Sequence, residues 1–329
     1  MSRVHGGPDA LGIPAWDFST NANACGPCTM ALEAVRAVEP TDYPDPTYTS
    51  LRAALAEFHG VASSRVILAA SGSEAIARVT AWVARRGGRR VAVPEHAYGD
   101  YAQLAQAWGM TLQADGMADL RWGCEPSSPL GQAWQPQAAV SLKGVTVLDR
   151  AYEPLRLDGQ PSLNAEALQQ VWQLWTPNKA LGLTGVRGAY LIAPMGEEED
   201  ARQMEALGPS WPLGAHAVAM LQAWTLPAVQ RWLAASRDVL RRWRVSQLEI
   251  LEALDWACLP SHANFFCGRP PEPIDPDALR SQGIKLRDAT SFGLPGYWRL
   301  SVQPPVAQQA LAAALQGAAA STSSAQHRT

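Results

Sequence analysis

The chain has 329 residues, 47% apolar and 17% charged, with a formal charge of −3. That length suits one large domain or two sharing a site, and the slight acidic excess argues against a nucleic-acid partner, which would favour a basic stripe. No apolar run approaches the ~18 residues of a membrane span, and the opening MSRVHGGPDA is too polar for a signal peptide, so the expected compartment is the cytoplasm.

Residues 1–30 read as an irregular arm. TMALEAVRAVEP predicts a helix stopped by a proline. YPDPTY is rich in turn residues, and TSLRAALAEFHGV predicts a second helix closed by glycine. RVILAA then SGSEAIARVTAWVARRGG reads as strand, tight loop and helix. RRVAVPE and YGDYAQLAQAWG continue as strand and helix. Little is placed over 111–140. GVTVLDRAY predicts a strand ending in Asp149, NAEALQQVWQLW a helix, and GAYLIAP a strand. Strands alternating with helices predict a mainly parallel sheet covered on both faces. From about 214 the texture changes to a long helical stretch broken at Pro227, three short strands (ANFFCGR, IKLRDA, YWRLSV) and a last helix. The expected architecture is therefore α/β: an arm (1–30), a three-layer α/β/α large domain (31–213), a smaller α+β domain (214–317) and a disordered tail (318–329).

The five cysteines are Cys25, Cys28, Cys124, Cys258 and Cys267. An odd number without a signal peptide is not a disulfide framework. ACGPC matches a thiol-disulfide centre in sequence, which leaves a redox reading of Cys25 and Cys28 beside the plain one of a Gly-Pro turn. Redox chemistry needs the first cysteine at a helix N-terminus behind a buried strand, and DFSTNANA before it is polar. No second Cys or His pair stands at ligand spacing, so no metal site is expected.

LWTPNKALGLTGVRGAY (174–190) carries one of only three lysines in the chain. An amine attacks an aldehyde only when neutral, hence desolvated or beside another cation. Thr176, Lys179, Gly182, Gly185 and Arg187 set a hydroxyl and a guanidinium either side of one amine, which suits a cofactor bearing both an aldehyde and a phosphate; pyridoxal 5′-phosphate is such a group. Asp149 ends an apolar strand, where open parallel sheets bind ligands, and a carboxylate there can keep a pyridine nitrogen protonated. Tyr152 follows at a spacing that reaches the ring's phenolic oxygen. SGSEA offers backbone N–H groups and the Ser73 hydroxyl at a helix start, and Tyr98 follows another strand end. Each feature alone has an ordinary use: a surface lysine, a helix cap, a core aromatic.

Together these residues resemble the fold-type I pyridoxal-phosphate enzymes of the aspartate aminotransferase superfamily over roughly 1–310. TPNKALGLTGVRGAY is similar to that family's lysine signature, departing at Gly188-Ala189 before Tyr190, and LDRAY and YPDPTYTSLRAALAEFHGV add to the match. HGG followed by DFSTNANACGP resembles the opening of threonine-phosphate decarboxylases of cobalamin biosynthesis, with histidinol-phosphate aminotransferases as cousins. The resemblance implies that Lys179 condenses with the cofactor, that Asp149 pairs with its ring nitrogen, and that Tyr152 reaches its ring oxygen. It gives Gly72, Ser73, Thr176 and Arg187 to the phosphate, joined by Tyr43 of a second copy in a homodimer with shared sites. Tyr98 would stack on the ring. Arg299 would clamp a substrate carboxylate, with Arg287, Asn23 and His5 nearby, Arg287 and His5 towards a substrate phosphate. EPSSPLG puts Ser128 where the family has an asparagine bonding the ring oxygen, and the ASGSEA loop is looser than usual.

The expected function is decarboxylation of L-threonine O-3-phosphate to aminopropanol phosphate. The alternative is an aminotransferase of histidinol-phosphate type, and outside that chemistry stand a thiol-disulfide protein or a fold member without turnover.

Overall fold

The computed structural model describes residues 6–113, 117–135 and 144–326, without side chains beyond 317. After a short strand β1 (Trp16–Asp17) come helices α1 (Thr29–Arg36) and α2 (Thr49–His59). Next are β2 (Val66–Ala69), α3 (Gly72–Arg85), β3 (Arg90–Ala92), α4 (Gly99–Ala107), β4 (Thr111–Leu112), β5 (Leu120–Cys124) and β6 (Val145–Asp149). They are followed by α5 (Ala165–Leu168), β7 (Trp172–Trp175), β8 (Ala189–Ile192) and α6 (Glu198–Glu205). The seven-stranded sheet has the order β2-β8-β7-β6-β5-β3-β4, with β8 antiparallel to both neighbours and the rest parallel.

Successive residues of this sheet feed two cores, as a strand's alternation requires. Ile67, Trp172, Leu174 and Leu191 join Ile76 and Val79 of α3, Tyr101 of α4 and Met204 of α6. Val66, Leu68, Trp175 and Tyr190 join Leu51 and Leu55 of α2 on the other face. The same face packs against α7 (Ala215–Trp224) and α8 (Pro227–Glu252) through Met220, Trp224 and Leu240. The result is three layers, helix on sheet on helix.

The remaining elements are β9 (Ala257–Cys258), β10 (Phe265–Arg269), α9 (Pro276–Ser281), β11 (Ile284–Lys285), β12 (Arg287–Asp288), β13 (Trp298–Ser301) and α10 (Pro305–Gln326). Strands β12-β13-β10-β9 form an antiparallel sheet, while β1 pairs in parallel with β11. No helix among the described residues is long and apolar enough to cross a membrane.

Several expectations change. NAEALQQVWQLW is not one helix: Asn164 caps the four-residue α5, and Trp172–Trp175 is a central strand buried at every position. A strand covered on both faces has no polar alternation to betray it. The arm is not wholly irregular, since Trp16–Asp17 pairs with Ile284–Lys285. The uncharted 111–140 stretch supplies β4 and β5, and α10 extends into the segment expected to be a disordered tail, as far as Gln326. Helix α7 packs on α1, so residues from 215 contribute to the layer beside the large sheet.

Candidate active site

Strands β2, β3, β5, β6 and β7 point the same way, so their C-terminal ends deliver loops to one edge of the sheet. That edge is where open α/β sheets bind ligands.

The loop after β2 opens α3. Ser71 caps it by accepting the Glu74 N–H at 3.1 Å, and Glu74 reaches back to the Ala70 N–H at 3.0 Å. Arg78 locks Glu74 to the Leu68 carbonyl. With Ser71 engaged, the first turn still offers backbone N–H groups to an anion. A Cβ on Gly72 would lie 2.9 Å from Thr176 Cγ2, so glycine lets the segment after β7 close onto this helix start. The Thr176 hydroxyl is buried without a hydrogen-bond partner. Ser73 Oγ and Tyr98 OH lie 3.2 Å apart. This cradle, with an orphaned donor and a helix start, fits a phosphate group.

Lys179 follows on the same loop. The Asn23 N–H donates to its carbonyl at 2.9 Å, and the Gly182 Cα stands 3.0 Å from the position of a Cβ on Gly26. The arm therefore fixes the lysine's backbone. Its Nζ lies 5.4 Å from the centroid of the Tyr152 ring.

Asp149 ends β6 and is buried. Its Oδ1 accepts the Ala151 N–H at 2.9 Å and its Oδ2 accepts the Tyr101 hydroxyl at 2.6 Å. Burial raises its pKa from the ordinary carboxylate value, opposed by these two bonds and by the charge of Lys179. A buried carboxylate facing a loop that carries a lysine and a phosphate cradle fits a protonated pyridine nitrogen. Three features, an amine, a buried carboxylate and an anion cradle, fit the aldehyde, ring nitrogen and phosphate of pyridoxal 5′-phosphate.

The small sheet brings the arginines. Arg287 and Arg299 are register partners on β12 and β13, both buried. Arg299 donates to Ser128 Oγ at 3.2 Å and to the Ser19 carbonyl at 3.0 Å, and its Nε has no partner. Its guanidinium sits between Phe265 and Phe292, 5.7 and 5.5 Å from their centroids. Arg287 also lies against Phe292, 4.8 Å from its centroid, and donates to Ser291 Oγ at 2.7 Å. Burial, then the charge of Arg299, lowers its pKa to about 10. Two buried guanidiniums in register, both against Phe292, suit an anionic ligand.

Other expectations fare differently. The Asn23 amide donates to the Ala180 carbonyl at 3.1 Å and to Ser236 Oγ at 2.8 Å, and its Oδ1 accepts the Cys25 N–H. It fastens the arm and has no donor left for a substrate. Arg187 is exposed and lines a groove of about 310 Å³ with Val35, Val186, Gly214, His216 and Ala217. Tyr43 is 78% exposed and packs against Trp211 at 4.6 Å. His5 lies outside the described residues. The redox reading of Cys25 and Cys28 is corrected: burial raises the Cys25 thiol to about 11, and the residue before α1 is Cys28, not Cys25. Such chemistry needs the opposite shift. Sequence reading missed Tyr101, Phe265, Phe292 and the Ser19 carbonyl. Tyr101 alone left a signal, three residues past Tyr98 on one helix.

The sequence model of the aminotransferase class I and II family matches residues 15–114 and 122–317. A histidinol-phosphate aminotransferase of Hyphomonas neptunium is 25% identical over 332 residues, covering 91% of this chain and 88% of that protein. The structure of histidinol-phosphate aminotransferase from Sinorhizobium meliloti in complex with pyridoxal-5′-phosphate has a TM-score of 0.77 at 22% identity, covering 95% of this chain and 94% of that one. L-threonine-O-3-phosphate decarboxylase from Porphyromonas gingivalis has the same fold, with a TM-score of 0.69 at 20% identity, covering 91% and 96%. The decarboxylase expectation is therefore corrected: curated relatives aligned along about nine-tenths of the chain carry the aminotransferase name. The N-terminal HGG on which it leaned spans a few residues beside that alignment. The chain belongs to the aminotransferase class I and II family and is a pyridoxal-phosphate-dependent enzyme.

Proposed function

We propose that this protein is an aminotransferase of the histidinol-phosphate type, exchanging an amino group between a small phosphorylated amine and an oxo acid. The observation that carries the reading is the grouping of Lys179, Asp149 and the Gly72–Thr176 cradle at one sheet edge, together with two buried arginines in register on the small sheet. Bound there, pyridoxal 5′-phosphate supplies an aldehyde that captures amines and a ring that withdraws electrons from a bond being broken.

In this reading Gly72, Ser73, Thr176 and Arg187 hold the phosphate, Asp149 meets the ring nitrogen and Tyr98 packs on the ring face. Tyr152 donates to the ring oxygen. Ser128 is shorter than the family's asparagine and its hydroxyl accepts from Arg299, so it serves the substrate arginine. With the cofactor bound, Lys179 would be the group that takes the proton from the substrate's Cα and delivers it to the carbon on the other side of the amine nitrogen; a neutral amine is the base suited to this. Arg299 holds the carboxylate of the oxo acid, and Arg287 faces the substrate phosphate. A second copy of the chain completes the site in a homodimer, with the exposed Tyr43 reaching across.

The experiment is to incubate the holoenzyme with histidinol phosphate, with and without 2-oxoglutarate, and to follow glutamate. Glutamate formed only when both are present supports the reading. Consumption of the phosphorylated amine that ignores the oxo acid, or no consumption at all, overturns it.

A further inference from the structure

Asp149 does not stand alone behind the ring site. Tyr101, on α4, is fully buried and its hydroxyl lies 2.6 Å from Asp149 Oδ2. Its ring is stacked on Trp122 of β5 at 4.7 Å and 10°, and meets Tyr98 edge-on at 5.9 Å. Packing on both sides fixes where the hydroxyl points. Asp149's other oxygen takes the Ala151 N–H at 2.9 Å. Both bonds are donated to the carboxylate, so both suit its ionised form, and a carboxylate has lone pairs left for a third donor. Cys124 is the register partner of Asp149 on β5; its thiol donates to the Pro126 carbonyl and also neighbours the Tyr101 hydroxyl, helping to push that phenol up.

We infer that Tyr101 is a positioning residue which keeps Asp149 ionised and aimed at the ring nitrogen of the cofactor, an inference that rests on the pairing of Asp149 with that nitrogen. The chemistry of the donor explains why a tyrosine serves. Burial alone drives a carboxyl towards its neutral form. An arginine or lysine at the same place would hold the charge but also cancel it, and the ring nitrogen would lose its counter-charge. A neutral hydroxyl stabilises the carboxylate and leaves the full negative charge to the ring. Burial and the adjacent carboxylate push the Tyr101 phenol well above its ordinary pKa, so its hydrogen stays on the donor. When one proton is shared between ring nitrogen and carboxylate, the Tyr101 bond places it on the nitrogen.

The test is solid-state ¹⁵N NMR of holoenzyme loaded with cofactor labelled at the ring nitrogen, for wild type, Tyr101→Phe and Asp149→Asn. Phenylalanine keeps the stack on Trp122 and removes only the hydroxyl. The wild-type signal is expected in the protonated range, with Y101F and D149N both moved towards neutral pyridine. In Y101F, kcat should fall about 10- to 100-fold, the worth of one hydrogen bond to a charged group, with KM little changed. A Y101F signal that stays protonated while D149N shifts overturns the role of Tyr101 and leaves Asp149 standing. A neutral wild-type signal, or a D149N signal that does not move, overturns the Asp149 pairing and this inference with it. Should Y101F fail to fold, p-aminophenylalanine at position 101 keeps a neutral donor of the same reach; its signal must remain protonated, and a neutral one contradicts the inference.

Discussion

Lys179 owes its place to neighbours that have little to do with its chemistry. Its carbonyl is held by Asn23, and the glycines around it permit a close crossing of the arm. Lys179→Ala should therefore fold, yet lose the visible absorbance of covalently held cofactor and at least about 10²–10⁴-fold of activity, the usual worth of a positioned base; purified protein and a steady-state assay check both. Arg299 binds Ser128 and Ser19 through separate nitrogens, a fork that lysine cannot reproduce. Both Arg299→Ala and Arg299→Lys should raise KM for the oxo acid more than for the phosphorylated amine, measured by varying each substrate in turn. An equal effect on both would remove Arg299 from the carboxylate. Lys179, Thr176 and Asp149 could be nominated from local spacing alone, and the structure brings their loops to one sheet edge. Asn23 was misread because its partners, Ala180 and Ser236, lie 157 and 213 residues away, and Ser128's bond to Arg299 spans 171. No local pattern encodes such contacts.

Elements meet the site through their ends. The start of α3 needs Gly72 because Thr176 presses against it. Gly72→Ala should weaken retention of the cofactor phosphate, read as a higher dissociation constant in equilibrium dialysis, with secondary structure unchanged by circular dichroism. On the opposite face, the end of α2 meets β7 and β8 through His59. Trp224 Nε1 donates to the Tyr190 hydroxyl at 3.1 Å, which leaves that hydroxyl's hydrogen for His59 Nε2 at 2.8 Å. Burial, then the charge of Arg150, lowers the His59 pKa to about 3, winning over the helix C-terminus that would favour a cation. The folded pKa is below the unfolded value of about 6.5, so the unfolded chain binds a proton that the native one refuses. Stability from this group is complete above about pH 6.5 and is lost as pH falls towards 3. Urea midpoints should drop from pH 7 to pH 4, and His59→Gln should flatten that slope. A slope that the variant keeps would clear His59. The helix-strand alternation was readable in outline; β7 was not, because full burial erased its period.

At the scale of the molecule, the sheet order puts five strand ends on one edge, and the arm stitches that edge to the small sheet. Ser301 N–H donates to the Phe18 carbonyl at 2.8 Å while β1 pairs with β11. Three-layer architecture followed from the sequence alternation, but the arm's role as a connector did not, since a two-residue strand has no pattern of its own. The proposed homodimer predicts a mass near twice 35.4 kDa by light scattering, and Tyr43→Ala should weaken cofactor retention from the other subunit's side. A monomer with full activity would remove the shared site. Every role proposed for the site depends on a covalent bond between Lys179 and the cofactor aldehyde. Borohydride reduction of the saturated holoenzyme, then peptide mapping, should find the pyridoxyl group on Lys179; a reduced protein whose Lys179 peptide is unmodified would contradict it.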